Sequence, residues 1–233
     1  MKTKANAIVA FCAGVLVLAS LSGCFVQSIH PFYTDTTRIS PPQMAGEWDF
    51  ISAGTDDLTK VKVNPWVFSE KDGLSYEVES YNKNNAPGNL KAVFFKVGDQ
   101  IFCDWLAGDL PNPAPINEYW TMNVRPVHTV TKVTLTNDVL TFTGLDYDWM
   151  SQAMQKREVK VAFIGEQEFD GRSALPLFTA SPQEWSEFLK KHGGNTNAFP
   201  GKLSYVFKKR KINDQIEATD QPKTAPKDKP SSK

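Results

Sequence analysis

From Gly46 onward, apolar residues recur at every second position along most of the chain, the period of a half-buried strand. The cleanest case is 74–81. Leu74, Tyr76 and Val78 share one side, and Ser75, Glu77 and Glu79 share the other. The same period predicts strands at 46–51, 61–69, 90–97, 100–106, 119–127, 130–136, 139–143, 158–164 and 202–209. Pro65 makes the second of these an edge or a bulged strand. Gly98-Asp99 reads as a tight hairpin turn, and Asn137-Asp138 as another. In 158–164, Val159, Val161 and Phe163 alternate with Glu158, Lys160 and Ala162. In 202–209, Leu203, Tyr205 and Phe207 alternate with Ser204, Val206 and Lys208.

One segment changes period. Ser181-Pro182-Gln183-Glu184 is a capping box with proline at the first helical position. Trp185, Phe188 and Leu189 follow on one helical face, and Lys190, Lys191 and His192 place cations in the last turn. Gly193-Gly194 then stops the helix. The spacing predicts a helix over 182–192, with Trp185 and Phe188 laid against a sheet or across a barrel mouth. A second helix is predicted over 148–156, with Trp149 and Ala153 four apart. The expected fold is all-β: a single antiparallel barrel-like or sandwich domain with one firm helix at about 182–192. Eight or more strands separated by polar turns favour a closed sheet, because closure removes exposed edges.

The two ends of the chain read differently. Lys2 and Lys4 precede an apolar run from Ala7 to Leu21. That is shorter than the ~20 residues of a membrane span, so the segment reads as a targeting signal. Its end, Leu21-Ser22-Gly23-Cys24, resembles the bacterial lipobox. That resemblance implies cleavage before Cys24 and acylation of its thiol, with acyl chains that hold the protein on a bilayer. Phe25 follows, rather than the Asp associated with inner-membrane retention, so the implied location is the outer membrane of the cell envelope. The expected organisation is a signal peptide (1–23), a lipidated cysteine and tether (24–44), a β-rich domain (45–212) and a disordered tail (213–233). Within the tether, Pro41-Pro42 is stiff, while Phe25, Ile29, Phe32 and Tyr33 offer something to pack.

Composition adds exclusions. The chain has 233 residues, with 26 Lys plus Arg against 26 Asp plus Glu. A formal charge of zero argues against a nucleic-acid surface. With 41% hydrophobic residues, 22% charged residues and six Trp, the chain is able to build a core. Of three cysteines, Cys12 leaves with the signal and Cys24 carries lipid, so Cys103 remains as a buried free thiol without a disulfide partner. His30, His128 and His192 have no metal-ligand spacing. The loop 165–171 carries alternate carboxylates but lacks the EF-hand pattern, and reads as a solvated turn. No phosphate loop, Gly-x-Ser-x-Gly elbow or His-Glu-x-x-His motif occurs. The basic run Lys208 to Lys211 reads as a charged strand end. No metal, cofactor or catalytic set is expected.

Two resemblances remain. Gly46-Glu47-Trp48 resembles the Gly-x-Trp of the first strand in lipocalins. This implies a barrel with Trp48 across its base, a late cation such as Arg210 stacked upon it, and a small hydrophobic ligand inside. Ser28-Ile29-His30-Pro31-Phe32-Tyr33, followed by Gly46-Glu47-Trp48, is similar to a family of uncharacterised bacterial lipoproteins, a resemblance that implies no activity. Aromatic candidates for lining a cavity are Tyr76, Phe94 and Trp105. Asp104, between Cys103 and Trp105 in an apolar run, either faces that cavity as a ligand-binding group or faces water. Two functions follow. One is a non-enzymatic envelope lipoprotein that binds another envelope protein or a cell-wall polymer. The other is a lipocalin-like carrier of a small hydrophobic ligand.

Overall fold

The computed structural model describes residues 26–59, 62–82, 84–108, 126–165, 168–169, 172–173 and 176–211. The signal segment with Cys24, most of the expected strand at 119–127, parts of the 165–171 loop and the expected tail at 213–233 lie outside the described residues.

Eight antiparallel strands close into a barrel: β1 (Gly46–Ala53), β2 (Trp66–Lys71), β3 (Ser75–Tyr81), β4 (Pro87–Val97), β5 (Gln100–Ala107), β6 (His128–Thr136), β7 (Val139–Gly144) and β8 (Ser204–Lys209). Each pairs with the next in sequence, and β8 returns to β1 through Tyr205 opposite Ala53 and Lys209 opposite Trp48. This up-and-down closure removes the barrel's edges. Gly98 (φ +60°) and Asn137 (φ +54°) supply the left-handed conformations that the turns after β4 and β6 require.

The alternation sorts side chains as the period demands. Trp48, Phe68, Tyr76, Val78, Phe94, Cys103, Trp105, Phe142 and Phe207 point inward and form one core. Glu47, Asp49, Glu77, Glu79 and Lys91 lie between inward positions on β1, β3 and β4. Apolar inside and charged outside is the reverse of a bilayer-spanning barrel.

A second core lies outside the barrel wall. The outward residues Phe95, Val97, Phe102 and Val130 are apolar and are covered by Val26, Phe32 and two helices, α1 (Tyr147–Gln155) and α2 (Pro182–His192). The α2 capping box forms as its spacing predicts. Ser181 N–H donates to Glu184 Oε2 at 2.7 Å, and Glu184 N–H donates to Ser181 Oγ at 3.3 Å. Trp185 packs on Phe32, with ring centres 4.4 Å apart, so α2 lies on the wall. Gly193 ends α2 with an ordinary right-handed φ of −61°. Close approach, not handedness, selects this glycine: a Cβ there would sit 2.4 Å from Gln100 Oε1 and 2.6 Å from Phe102 Cζ. α1 is capped by Asp146, whose Oδ1 accepts from Trp149 N–H at 2.9 Å.

Three local expectations are corrected. Residues 26–44, read as a tether with Phe32 and its neighbours to pack, are held on the barrel at more points than that. Val26, Ser28, Phe32 and Met44 are buried, and Gln27–Ser28 and Arg38–Ile39 pair with β6 and β4. In 158–164 only Phe163–Ile164 pairs, with Leu177–Phe178. Val159 and Val161 are buried, but Phe163 is 46% exposed, because no layer covers that last strand of the sheet among the described residues. Leu74 falls in the turn before β3 and is exposed.

Candidate functional site

The barrel has a filled end and an open end. At the filled end, the 3₁₀ turn Pro42–Met44 crosses beneath the strands. Trp48 is fully buried and its Nε1–H donates to Met44 O at 2.9 Å. Tyr76 OH donates to Pro41 O at 2.8 Å, and Phe94 meets the Tyr76 ring nearly edge-on at 5.4 Å. Gly46 holds φ +112°, a conformation that favours glycine, where the chain enters β1.

At the open end the aromatic side chains stop short of filling the barrel. A cavity of about 420 Å³ remains, lined by Phe50, Ala53, Asp56, Leu58, Trp66, Tyr81, Asn82, Leu90, Trp105, Thr129, Thr131, Phe142, Tyr205 and Phe207. Its aromatic walls brace one another. Trp105 meets Phe142 edge-on at 4.9 Å, Phe50 stacks on Phe207 at 4.9 Å, and Trp66 leans on Phe207 at 4.9 Å. The indole donors are already engaged. Trp66 Nε1–H donates to Tyr81 O at 2.8 Å, and Trp105 Nε1–H donates to Thr131 Oγ1 at 2.8 Å. Burial pushes the Tyr205 phenol above its ordinary pKa, so it stays neutral. Among the described residues that line the cavity, none is a lysine, arginine or histidine, and the single acidic residue is Asp56.

The candidates from sequence fall in three places. Trp105 lines the cavity. Tyr76 and Phe94 do not: they face inward as the alternation requires, but sit at the filled end and plug it. Asp104 faces neither cavity nor water. Cys103 and Trp105 point inward, so Asp104 points outward, where the segment 26–33 covers it. There its Oδ2 accepts from Phe32 N–H at 2.9 Å, and its Oδ1 is hydrogen-bonded to His128 Nδ1 at 2.7 Å. Burial raises the Asp104 pKa, against the lowering effect of His128 and Phe32 N–H. Arg210 does not stack on Trp48. It clasps Glu47 and Asp49, and Lys209 takes the place over the indole, 5.3 Å from its centre, while donating to Gln43 O at 2.7 Å. Cys103 is buried, and burial raises its thiol pKa well above the usual range.

No family model, curated protein or solved structure matches the chain. The functional reading therefore rests on the chain's own geometry.

Most of the cavity residues were missed from sequence. Tyr205 and Phe207 share the inward side of β8, and Phe50 and Trp66 lie inward on β1 and β2, so alternation gives their face. What alternation does not give is height along the barrel axis. Among the described residues, no group of three His, Cys, Asp or Glu converges as a metal site needs. The arrangement is suited to enclosing a molecule: an apolar box with Thr129, Thr131 and Asn82 as its neutral polar contacts.

Proposed function

We propose that the protein is a non-enzymatic binder of a small, neutral, predominantly apolar molecule, held at the cell envelope by acyl chains on Cys24. The observation that carries the reading is the aromatic cavity at the open end of the barrel. Its volume of about 420 Å³ lies in the ordinary range for small-molecule pockets. The indole N–H groups are spent on Tyr81 O and Thr131 Oγ1, so the walls offer little to a polar ligand. Asp56 at the lining and the lack of a lining cation disfavour a carboxylate or phosphate. Closed eight-stranded up-and-down barrels are the architecture with which lipocalins enclose ligands, which supports the same reading. Acylation at Cys24 is supported by the lipobox-like Leu21-Ser22-Gly23-Cys24.

The test is uptake of phenylnaphthylamine, a neutral apolar fluorophore, followed by energy transfer from Trp66 and Trp105. The expected result is saturable uptake at one site, weak uptake of an anionic naphthalene sulfonate, and loss of uptake in Ala53→Phe, which fills the cavity from β1. Unchanged uptake in that variant removes the cavity from the account. Tighter binding of the anionic dye contradicts the preference for neutral ligands.

A further inference from the structure

Five large apolar side chains stand exposed among the described residues: Ile29, Leu74, Val139, Phe163 and Ile164. Leu74 and Val139 sit singly at hairpin turns of the filled end, just before β3 and at the start of β7, which lie on opposite sides of the barrel. The other three are neighbours. Phe163–Ile164 pairs with Leu177–Phe178, which pairs with Gln27–Ser28, and Ile29 N–H donates to Phe178 O at 3.0 Å. Isolated exposed apolar residues are ordinary, whereas a cluster of them marks a contact surface.

Two further observations say what covers this cluster. The first is the path of the chain. Val26 is 1% exposed and Ser28 is buried, so the chain is already packed two residues after Cys24. The two residues from Cys24 to Val26 span at most about 7 Å of extended chain. Gln27–Ser28 lies two strand spacings from Phe163–Ile164, about 10 Å. An acyl anchor at Cys24 thus holds this edge within about 17 Å of the bilayer. The second is level. Ile164, Leu177, Gln27 and Thr129 form one row across the sheet, and Thr129 lines the cavity. The apolar edge therefore lies level with the barrel's open end, about three strand spacings or 14 Å to its side.

We propose that this apolar edge, with Phe163 on one face of the sheet and Ile29 and Ile164 on the other, is the edge through which the protein rests on a lipid bilayer, with the cavity mouth beside it. This rests on the acylation of Cys24 in the proposed function, and it adds a fixed orientation. The barrel lies against the membrane on its open-end flank, and its ligand exchanges with the bilayer rather than with bulk water.

The test uses the full chain made in a bacterial host and purified with its lipid. Cys103 is fully buried and the sulfur of acylated Cys24 is a thioether, so Phe163→Cys gives a single accessible thiol, and Leu74→Cys gives the same at the filled end. Each carries an environment-sensitive fluorophore and is incorporated into vesicles of phosphatidylethanolamine and phosphatidylglycerol containing a lipid-borne spin quencher. Intact mass of the same samples reads acylation. The expected result is a blue shift and loss of emission at position 163, with neither at position 74. An acylated protein in which both labels behave alike overturns the docking edge and leaves the anchor standing. A mass without acyl groups overturns the anchor, and the docking edge falls with it. A label at 163 shielded without lipid quenching, in a protein that runs as a dimer, assigns the edge to strand pairing between two copies and overturns the proposal.

Discussion

The two ends of the barrel use the same side-chain types to opposite effect. At the filled end Trp48, Tyr76 and Phe94 converge, and a 3₁₀ turn at Pro42–Met44 accepts the polar tips of Trp48 and Tyr76. At the open end Trp66, Trp105 and Phe142 also converge, but their ring edges brace one another around about 420 Å³ of space. The difference lies in what closes each end. Below, the lead-in chain crosses under the strands. Above, β7 stops at Gly144 opposite Thr131, and β6 continues to Thr129 and His128 with Gln27–Ser28 as its neighbour. The wall parts there and is patched by two residues of the N-terminal segment. Aromatic content alone does not distinguish a plug from a pocket. The backbone that seals one end does.

The sharpest way to break this comparison is to truncate one tryptophan at each end. Trp48→Ala removes a fully buried ring and is expected to cost about 3–5 kcal/mol in denaturant unfolding. Trp66→Ala faces open space already and is expected to cost about 1–2 kcal/mol while weakening dye uptake. Equal costs would mean that the open end is as tightly packed as the filled one.

Next in size is the polar latch on the outer wall. Asp104→Ala leaves Phe32 N–H without its acceptor and His128 without its partner, and is expected to cost about 2–4 kcal/mol. Asp104→Asn keeps an acceptor for Phe32 N–H and is expected to cost less. The pH dependence has a definite sign. Because the folded pKa of Asp104 is raised, its contribution is most favourable below the unfolded value near 3.8. It is lost as pH rises through the folded value. The stability advantage of the wild type over Asp104→Asn should therefore shrink with rising pH in that window. An advantage that grows there would mean that His128 outweighs burial.

Smaller again is Gly46→Ala at the filled end. The space beside it is open, with Lys209 Cε at 3.8 Å as the nearest contact, so the strain comes from φ +112° alone. The expected loss is about 1–2 kcal/mol in thermal or denaturant unfolding, without an effect on dye uptake. A neutral result would show that the entry to β1 relaxes.

What the sequence made legible follows the range of each signal. The α2 helix is written entirely within 181–193, so its cap, face and end are read directly, down to the Ser181–Glu184 pair. The Gly98-Asp99 turn and the inward faces of β3 and β8 are equally local. Height in the barrel is not local. Phe94 lies opposite Cys103, one inward position below Trp105, and that register puts one ring in the plug and the other in the pocket. The same limit hid Asp104. Its outward direction follows from Trp105, but its burial depends on a segment some 70 residues earlier, with |i−j| of 72 to Phe32. For the same reason 26–44 reads as a tether by composition and packs as part of the fold, because its partners on β4 and β6 are distant in sequence.

The central claim is that the open end holds a small neutral molecule. The most direct measurement is native mass spectrometry of the chain from residue 25 onward, purified gently without detergent. The account predicts a stoichiometric small mass that leaves on denaturation and is absent from Ala53→Phe. A bare protein that also fails to take up the neutral dye would contradict it.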